Sequence, residues 1–486
     1  MKLSVLLTHI DHTLPMDCPD VEISGLCCDS RQVQEGMLFA ALPGAVVDGH
    51  DYIAAAVEAG AAALLVERQP EEVPEHVPVV QVSEGRRTLA LLAAAFYGHP
   101  HRQMQVIGIT GTKGKTTTAH ILRSILMAAG HTVGMIGTLG AFLNTRKIAE
   151  GLNTTPESVD IHRLFRQMAD EGCTHVVMEV SSQAMKLQRT AGIQFDLALF
   201  LNLSPDHIGG AEHADFDEYR DCKAALFHQC RRAVGNADDP HWPTMAAQIK
   251  RGHSSITFGM GERADIKGKE VRPTVLNGAP GVQFLIGYIT TPFRLPMPGA
   301  FNAMDALAAY AAALTLGIPE KFIRAGMETT SVRGRTEVYP NDRGYTVLID
   351  YAHNDVSFES LLSTLKQYDH NRIIVVFGAG GDRPRMRRTD MARTAARYAD
   401  FAVVTMDNPR TERVEDICAH ITEALDNQIP SVEIYDRRAA IFHALDMAQA
   451  GDIIALLGKG HEEYIEINGV RSHFSEREVL DEYFAR

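Results

Sequence analysis

The chain has 486 residues, 45% hydrophobic and 22% charged, with a formal net charge of -14. Such a composition excludes disorder, and at roughly 150 residues per domain it predicts about three domains. The acidic balance argues against a general binder of nucleic acid or anionic membrane, both of which need clustered Lys and Arg.

The start, MKLSVLLTHIDHTLPMD, carries an apolar stretch cut by His9 and Asp11, so it reads as neither signal peptide nor membrane span. Seven scattered Cys, with no CxxC or zinc spacing, suit reduced thiols and a cytoplasmic location. From residue 25 to 82, apolar runs at 38–42, 62–66 and 79–82 alternate with an Ala-rich amphipathic stretch at 51–61, predicting a small α/β domain closed by a helix at 86–97. The polar, Gly- and Pro-bearing run GHPHRQ at 98–103 is expected to be a linker, which bounds a first domain at 1–99.

A β-branched run at 105–110, a Gly-rich turn and a helical pattern at 116–129 predict strand, loop and helix. Buried strands are expected at 175–180 and 197–201, giving a mostly parallel sheet over a central domain, 100–328, that ends in an Ala/Leu helix at 303–316 and a linker near 329–334. The remainder, 329–486, repeats the pattern with strands at 346–351, 372–377, 401–405 and 452–457, a second doubly wound α/β layer.

Between strand and helix lies Gly108-Ile109-Thr110-Gly111-Thr112-Lys113-Gly114-Lys115-Thr116-Thr117. Glycines let the backbone wrap a phosphate, the helix N-terminus faces it, Lys115 adds charge and Thr116 can reach Mg²⁺. The loop names a nucleotide but not a reaction. Glu179 ends a buried strand where such sheets place their ligands, which makes it a candidate for Mg²⁺. Asp206 and His207 follow the next strand end; a lone His is more often structural, but this placement favours a function. Lys223, on a helical pattern, reads by spacing alone as a solvated lysine.

Together these motifs resemble the Mur ligases, and within them the branch that adds a third amino acid to UDP-N-acetylmuramoyl-L-alanyl-D-glutamate. The resemblance is carried by ITGTKGKTTT (109–118), LNTTPES (152–158), MEVSSQA (178–184), NLSPDH (202–207), YRDCKAALF (219–227), VRGRTE (332–337), IDYAHN (349–354), FGAGGDR (377–383), DNPRTE (407–412) and GKGHE (458–462). It implies an α/β chain of three domains: a UDP-binding domain, a central phosphate-loop ATPase and a C-terminal Rossmann-like domain. It implies ATP and Mg²⁺, held by Gly111, Thr112, Lys113, Gly114, Lys115, Thr116 and Thr117, with Asn302, Arg335 and Asp350 as further nucleotide contacts. Lys223 would be carbamylated and, with Thr116, Glu179 and His207, would serve the metal; Lys115, Glu179, His207 and Lys223 form the expected catalytic set.

By the same resemblance Ser30 would contact uridine, and Asn153, Thr154, Thr155, Ser181 and Arg189 would hold pyrophosphate, sugar and peptide, although Ser and Thr could equally cap helices. Asp407, Asn408 and Arg410, with Arg383, Gly458 and Glu462, would grip meso-diaminopimelate, since an Arg fork pairs with a carboxylate that lysine lacks. NLSPDHIGGAEH and SSQAMKL look more like lysine-adding relatives, so L-lysine stays open as the acceptor. A folylpolyglutamate-synthetase-like ligase and a nucleotide-dependent regulatory protein are the other readings. No obligate protein partner is expected.

Overall fold

The computed structural model describes all residues except 9, 14–17, 45–46, 152, 207, 210–211 and 277. The chain divides into two compact units, Met1–Ile266 with Ala308–Ile323, and Lys267–Leu307 with Arg324–Arg486.

The first unit opens with a parallel four-stranded sheet of Gly25–Cys27, Met37–Ala41, Ala63–Val66 and Val79–Gln81. These short runs are buried throughout or nearly so, as strands covered on both faces must be. Leu89, Leu92 and Ala93 of the helix Gly85–Phe96 pack onto Leu38, Leu65 and Val80. The stretch expected as a helix over 51–61 is a 3-10 turn, Gly49–Tyr52, running into Ile53–Glu58, because Asp48 caps at His50 N and starts the turn early. GHPHRQ also departs from a plain linker. Pro100–Gln103 is a 3-10 turn with Pro100 and His101 buried, the His101 ring lying against His162 of the helix Ser158–Asp170, so contact overrides polarity there.

The same unit holds parallel strands in the order Ser254–Gly259, Arg232–Asn236, Leu197–Phe200, Gln105–Thr110, His175–Glu179, Val133–Gly137, extended by antiparallel Gly140–Leu143 and Arg146–Ala149. Gln105–Thr110 lies centrally, with Ile109 in register with Glu179 on one side and Leu199 on the other. Its carboxyl end therefore lies where the strand order reverses, with Leu197–Phe200 and the strands after it on one side and His175–Glu179 and Val133–Gly137 on the other, which is where open α/β sheets take ligands.

In the second unit a six-stranded sheet runs Glu337–Tyr339, Thr346–Asp350, Ile453–Leu457, Ile373–Phe377, Phe401–Val404, Ser431–Glu433, all parallel except the first. The unit also contains antiparallel strands that the sequence reading passed over, Ala279–Ile286 with Phe293–Leu295 and the hairpin Tyr464–Ile467 with Val470–His473. Among the described residues no helix is long and apolar enough to cross a membrane.

Candidate active site

The phosphate loop leaves the Gln105–Thr110 strand at Gly111 (φ 158°) and enters the helix Lys115–Ala128 from Gly114 in the left-handed region (φ 84°). A Cβ on Gly111 would lie 3.0 Å from Leu201 Cβ, so only glycine lets the loop pass so close. The loop is pinned from the next strand end: Asn202 Oδ1 accepts from Lys113 N at 2.9 Å, and its carbonyl accepts from Thr112 N at 3.0 Å. Lys115 Nζ donates back to Gly111 O (2.8 Å) and Thr112 O (3.1 Å), which holds the ammonium over the cradle. Thr117, with Thr116, is buried in the first helical turn.

Glu179 is 1% exposed at its strand end. Its carboxylate accepts from Thr116 Oγ1 at 3.0 Å, Thr138 N at 3.0 Å and Thr138 Oγ1 at 3.2 Å. A buried charge needs such donors. Gly137 makes room, since a Cβ there would meet Glu179 Oε1 at 2.1 Å.

Lys223 is 2% exposed, far from the solvated lysine that spacing alone suggests. The helix Phe216–His228, capped by Asp215, aims it inward so that Nζ donates to Gly111 O at 3.0 Å and lies 4.6 Å from the Tyr219 ring centre. Burial, reinforced by the nearby Lys115 charge, pushes its ammonium well below the ordinary lysine range. His207 lies outside the described residues.

Beside this cradle is a cavity of about 150 Å³ lined by Lys115, Asn153, Thr154, Thr155, Ser181, Arg189, His213 and Lys223, among others. Residues from four separate motifs thus meet in one space. Thr155 Oγ1 donates to Glu179 O at 2.9 Å and accepts from Ser181 N at 3.0 Å, while Ser181 Oγ caps its own helix at Ala184 N. Arg189 donates to Thr155 O (2.9 Å) and pairs with Glu157 (2.5 Å). Ser30 lies apart from this cavity, in a 3-10 turn capped by Asp29, whose carboxylate takes both Nε and Nη2 of Arg31.

In the second unit, Asn302, Arg335 and Asp350 gather around Thr336, a residue the sequence reading did not single out. Asn302 Nδ2 donates to Thr336 Oγ1 at 3.1 Å, Thr336 N donates to Asp350 Oδ2 at 2.6 Å, and the Arg335 guanidinium lies 4.8 Å from the Tyr351 ring centre. Burial raises the Asp350 carboxyl above its ordinary value despite Arg335.

Loops from three adjacent strand ends of that unit carry the remaining residues. Arg383 is exposed after Ile373–Phe377. Asp407, Asn408 and Arg410 follow Phe401–Val404, and Gly458 and Glu462 follow Ile453–Leu457. Arg410 sits at φ 53°, its N–H on Glu466 O and its carbonyl on Asn468 N, and Nη1 donates to Gly381 O at 2.8 Å. Those bonds on both sides hold a non-glycine residue in the left-handed region. Gly458 (φ 107°) admits Asp407, whose Oδ2 would lie 2.5 Å from an added Cβ. Lys459, unnoticed within GKGHE, is fully buried, and donates to Asn408 Oδ1 (3.0 Å) and Glu462 Oε2 (2.8 Å). A lysine one glycine past the apolar run IIALL was the available signal. Arg437 donates to Met406 O and Leu457 O, tying the two loop bases together, and pairs with Glu476 at 2.7 Å with both side chains fully buried.

Three family models match the chain: Mur ligase family, catalytic domain, at 22–97; Mur ligase middle domain at 109–313; and Mur ligase, glutamate ligase domain, at 334–460. A relative from Caldanaerobacter subterraneus subsp. tengcongensis, named UDP-N-acetylmuramoyl-L-alanyl-D-glutamate--2,6-diaminopimelate ligase, is 39% identical over 100% of this chain and 99% of its own. The chain belongs to the Mur ligase family. A Clostridium perfringens Mur ligase of the same name is 35% identical over 99% of each chain. A solved structure bearing that name superposes with a TM-score of 0.72 at 27% identity, covering 100% of this chain and 99% of the other. The fold extends to a Mycobacterium tuberculosis folylpolyglutamate synthase complexed with ADP and AMPPCP, with a TM-score of 0.60 at 19% identity, covering 75% of this chain and 91% of that one. This Mur ligase thus has three family domains, with the phosphate loop and Lys223 in the middle one and the Asp407 and Gly458 loops in the last.

Proposed function

We propose that this chain is a cytoplasmic ATP-dependent ligase that joins meso-2,6-diaminopimelate to UDP-N-acetylmuramoyl-L-alanyl-D-glutamate in peptidoglycan precursor synthesis, through domains near 1–99, 100–328 and 329–486. The observation that carries the acceptor is the pairing of Asn408 with Glu462 beside Arg410, a paired set of amide, carboxylate and guanidinium groups on adjacent strand ends, in a chain alike over its full length to ligases named for diaminopimelate. One end of a diamino diacid offers an ammonium for Glu462 and a carboxylate for Arg410.

The terminal carboxylate of the dipeptide attacks the γ-phosphorus of ATP, the bond to the bridging oxygen breaks, and ADP leaves an acyl phosphate. The amine of the amino acid then attacks the acyl carbon; the tetrahedral intermediate expels inorganic phosphate, and nitrogen loses a proton as the amide forms. No protein nucleophile is needed. Lys115 offsets charge on the transferring phosphoryl group, and loop N–H groups hold the phosphates. Thr155, Ser181 and Arg189 orient the dipeptide substrate, Asn153 and Thr154 border it, Ser30 contacts uridine, and Arg383 with Gly458 borders the acceptor. Asn302, Arg335 and Asp350 are assigned to the nucleotide.

Mg²⁺ suits the donors present: the Thr116 hydroxyl and Glu179 carboxylate are hard oxygens 3.0 Å apart at the loop. Among the described residues no group of three His, Cys, Asp or Glu side chains could hold a metal, and Mg²⁺ ordinarily takes one or two carboxylates and fills its shell from phosphate and water. When bound it neutralises phosphate charge. The neutral amine favoured at Lys223 can add to CO2 with loss of a proton, giving a carbamate with two oxygens to serve that ion, and His207 is assigned with it.

The test is phosphate release with ATP, Mg²⁺ and the UDP-muramoyl dipeptide, with diaminopimelate, L-lysine or neither, and product mass by spectrometry. Release dependent on diaminopimelate is expected. Release only with lysine overturns the acceptor, and dependence on a folate substrate overturns the reaction.

A further inference from the structure

An ammonium buried without a partner is costly, so one that is buried is expected to be held by acceptors. Lys459 is 0% exposed, and its donors go to two side chains of the acceptor loops, Asn408 Oδ1 at 3.0 Å and Glu462 Oε2 at 2.8 Å. Its effect on each is chemical. Asn408 Oδ1 faces both Lys459 Nζ and Glu466 N, the latter also at 3.0 Å, so the amide cannot turn its NH₂ there without setting donors against donors. The amide is thereby held with its oxygen on these two donors and its nitrogen on the other side of the group. One of its hydrogens goes to Glu462 Oε2 at 2.8 Å, and the second has no partner among the described residues. Burial works against charge on Glu462, but Lys459 and Asn408 together overcome it and hold the carboxyl below its ordinary value.

We propose that Lys459 is a positioning and specificity-determining residue for the incoming amino acid, fixing the Asn408 amide as a donor toward a substrate carboxylate and Glu462 as an anion toward a substrate ammonium. The inference rests on the diaminopimelate reading. Lys459 itself, wholly buried and bonded to Asn408 and Glu462, does not touch substrate.

The experiment compares wild type, Lys459→Met, Lys459→Gln and Lys459→Arg in steady-state phosphate release, titrating each of the three substrates, with melting curves to establish folding. Loss of one charge-assisted contact pair predicts a KM for diaminopimelate raised roughly 10- to 100-fold in Lys459→Met. The KM values for ATP and for the UDP-muramoyl dipeptide stay within about twofold, since those sites do not share the contact. Lys459→Arg, which keeps the charge, recovers part of the loss. A folded Lys459→Met or Lys459→Gln enzyme with unchanged KM for diaminopimelate overturns the proposal, as does a parallel rise in all three KM values. Lys459→Gln removes the charge while keeping a shorter, polar side chain, and serves if Lys459→Met does not fold. A wild-type enzyme that accepts only lysine overturns the acceptor reading alone; the same variants titrated with lysine then decide the role of Lys459.

Discussion

Gly137→Ala puts a single methyl against the carboxylate at the heart of the phosphate site. Gly137 has no need of a left-handed backbone, so strain plays no part; the cost is steric. The new Cβ would stand 2.1 Å from Glu179 Oε1, where ordinary contacts stay above 3.0 Å, so the carboxylate must retreat by roughly 1 Å. Retreat of that size stretches its bonds to Thr116 and Thr138, now 3.0 to 3.2 Å, toward 4 Å and out of hydrogen-bonding range. A misplacement of about 1 Å in a catalytic assembly costs on the order of 100-fold in rate. The assay is phosphate release over a Mg²⁺ titration, with kcat down about 100-fold and the Mg²⁺ requirement shifted upward. Gly134→Ala, on the same strand, is the control: its Cβ meets the flexible Met168 Sδ, so it should lower Tm while leaving kcat near wild type. A folded Gly137→Ala enzyme within threefold of wild type, or a Gly134→Ala enzyme equally slow, would refute the steric argument.

Lys223→Met should lower kcat by at least roughly 100-fold with little change in Tm, and a carbamate signal from ¹³C-bicarbonate should appear in wild type and vanish in the variant. His101 and His162 are pushed by burial to about 4 and about 3, against an ordinary 6.5. The folded chain therefore binds fewer protons than the unfolded one below pH 6.5, so the stability they permit is full above that pH and falls as pH drops toward their folded values. His162→Phe should spare about 2 kcal/mol of the loss between pH 7 and pH 5, read by denaturant melts at both. Arg437→Met strands the buried Glu476 charge and should cost about 3 to 5 kcal/mol, whereas Arg437→Met with Glu476→Leu should regain most of it; equal destabilisation of single and double variants would count against a charge effect.

What the sequence determined by itself was everything carried by contiguous residues. The run from Gly108 to Thr117 bears its own chemistry, and the strands at 105–110, 175–180 and 452–457 are legible because a strand covered on both faces must be mostly apolar. A carboxylate ending such a run, as Glu179 does, announces an edge. The order of the motifs likewise indicated the family. Tertiary structure decided the rest, because helical periodicity gives a face but not its partner. Lys223 looked solvated by spacing, and only its closeness to Gly111, 112 residues away, makes it a buried amine. Lys459 finds Asn408 across 51 residues, Thr336 joins Asn302 to Asp350, and His101 is buried in a stretch whose composition reads as linker. Burial and pKa are properties of neighbours, and neighbours brought together by sheet order are not written along the chain.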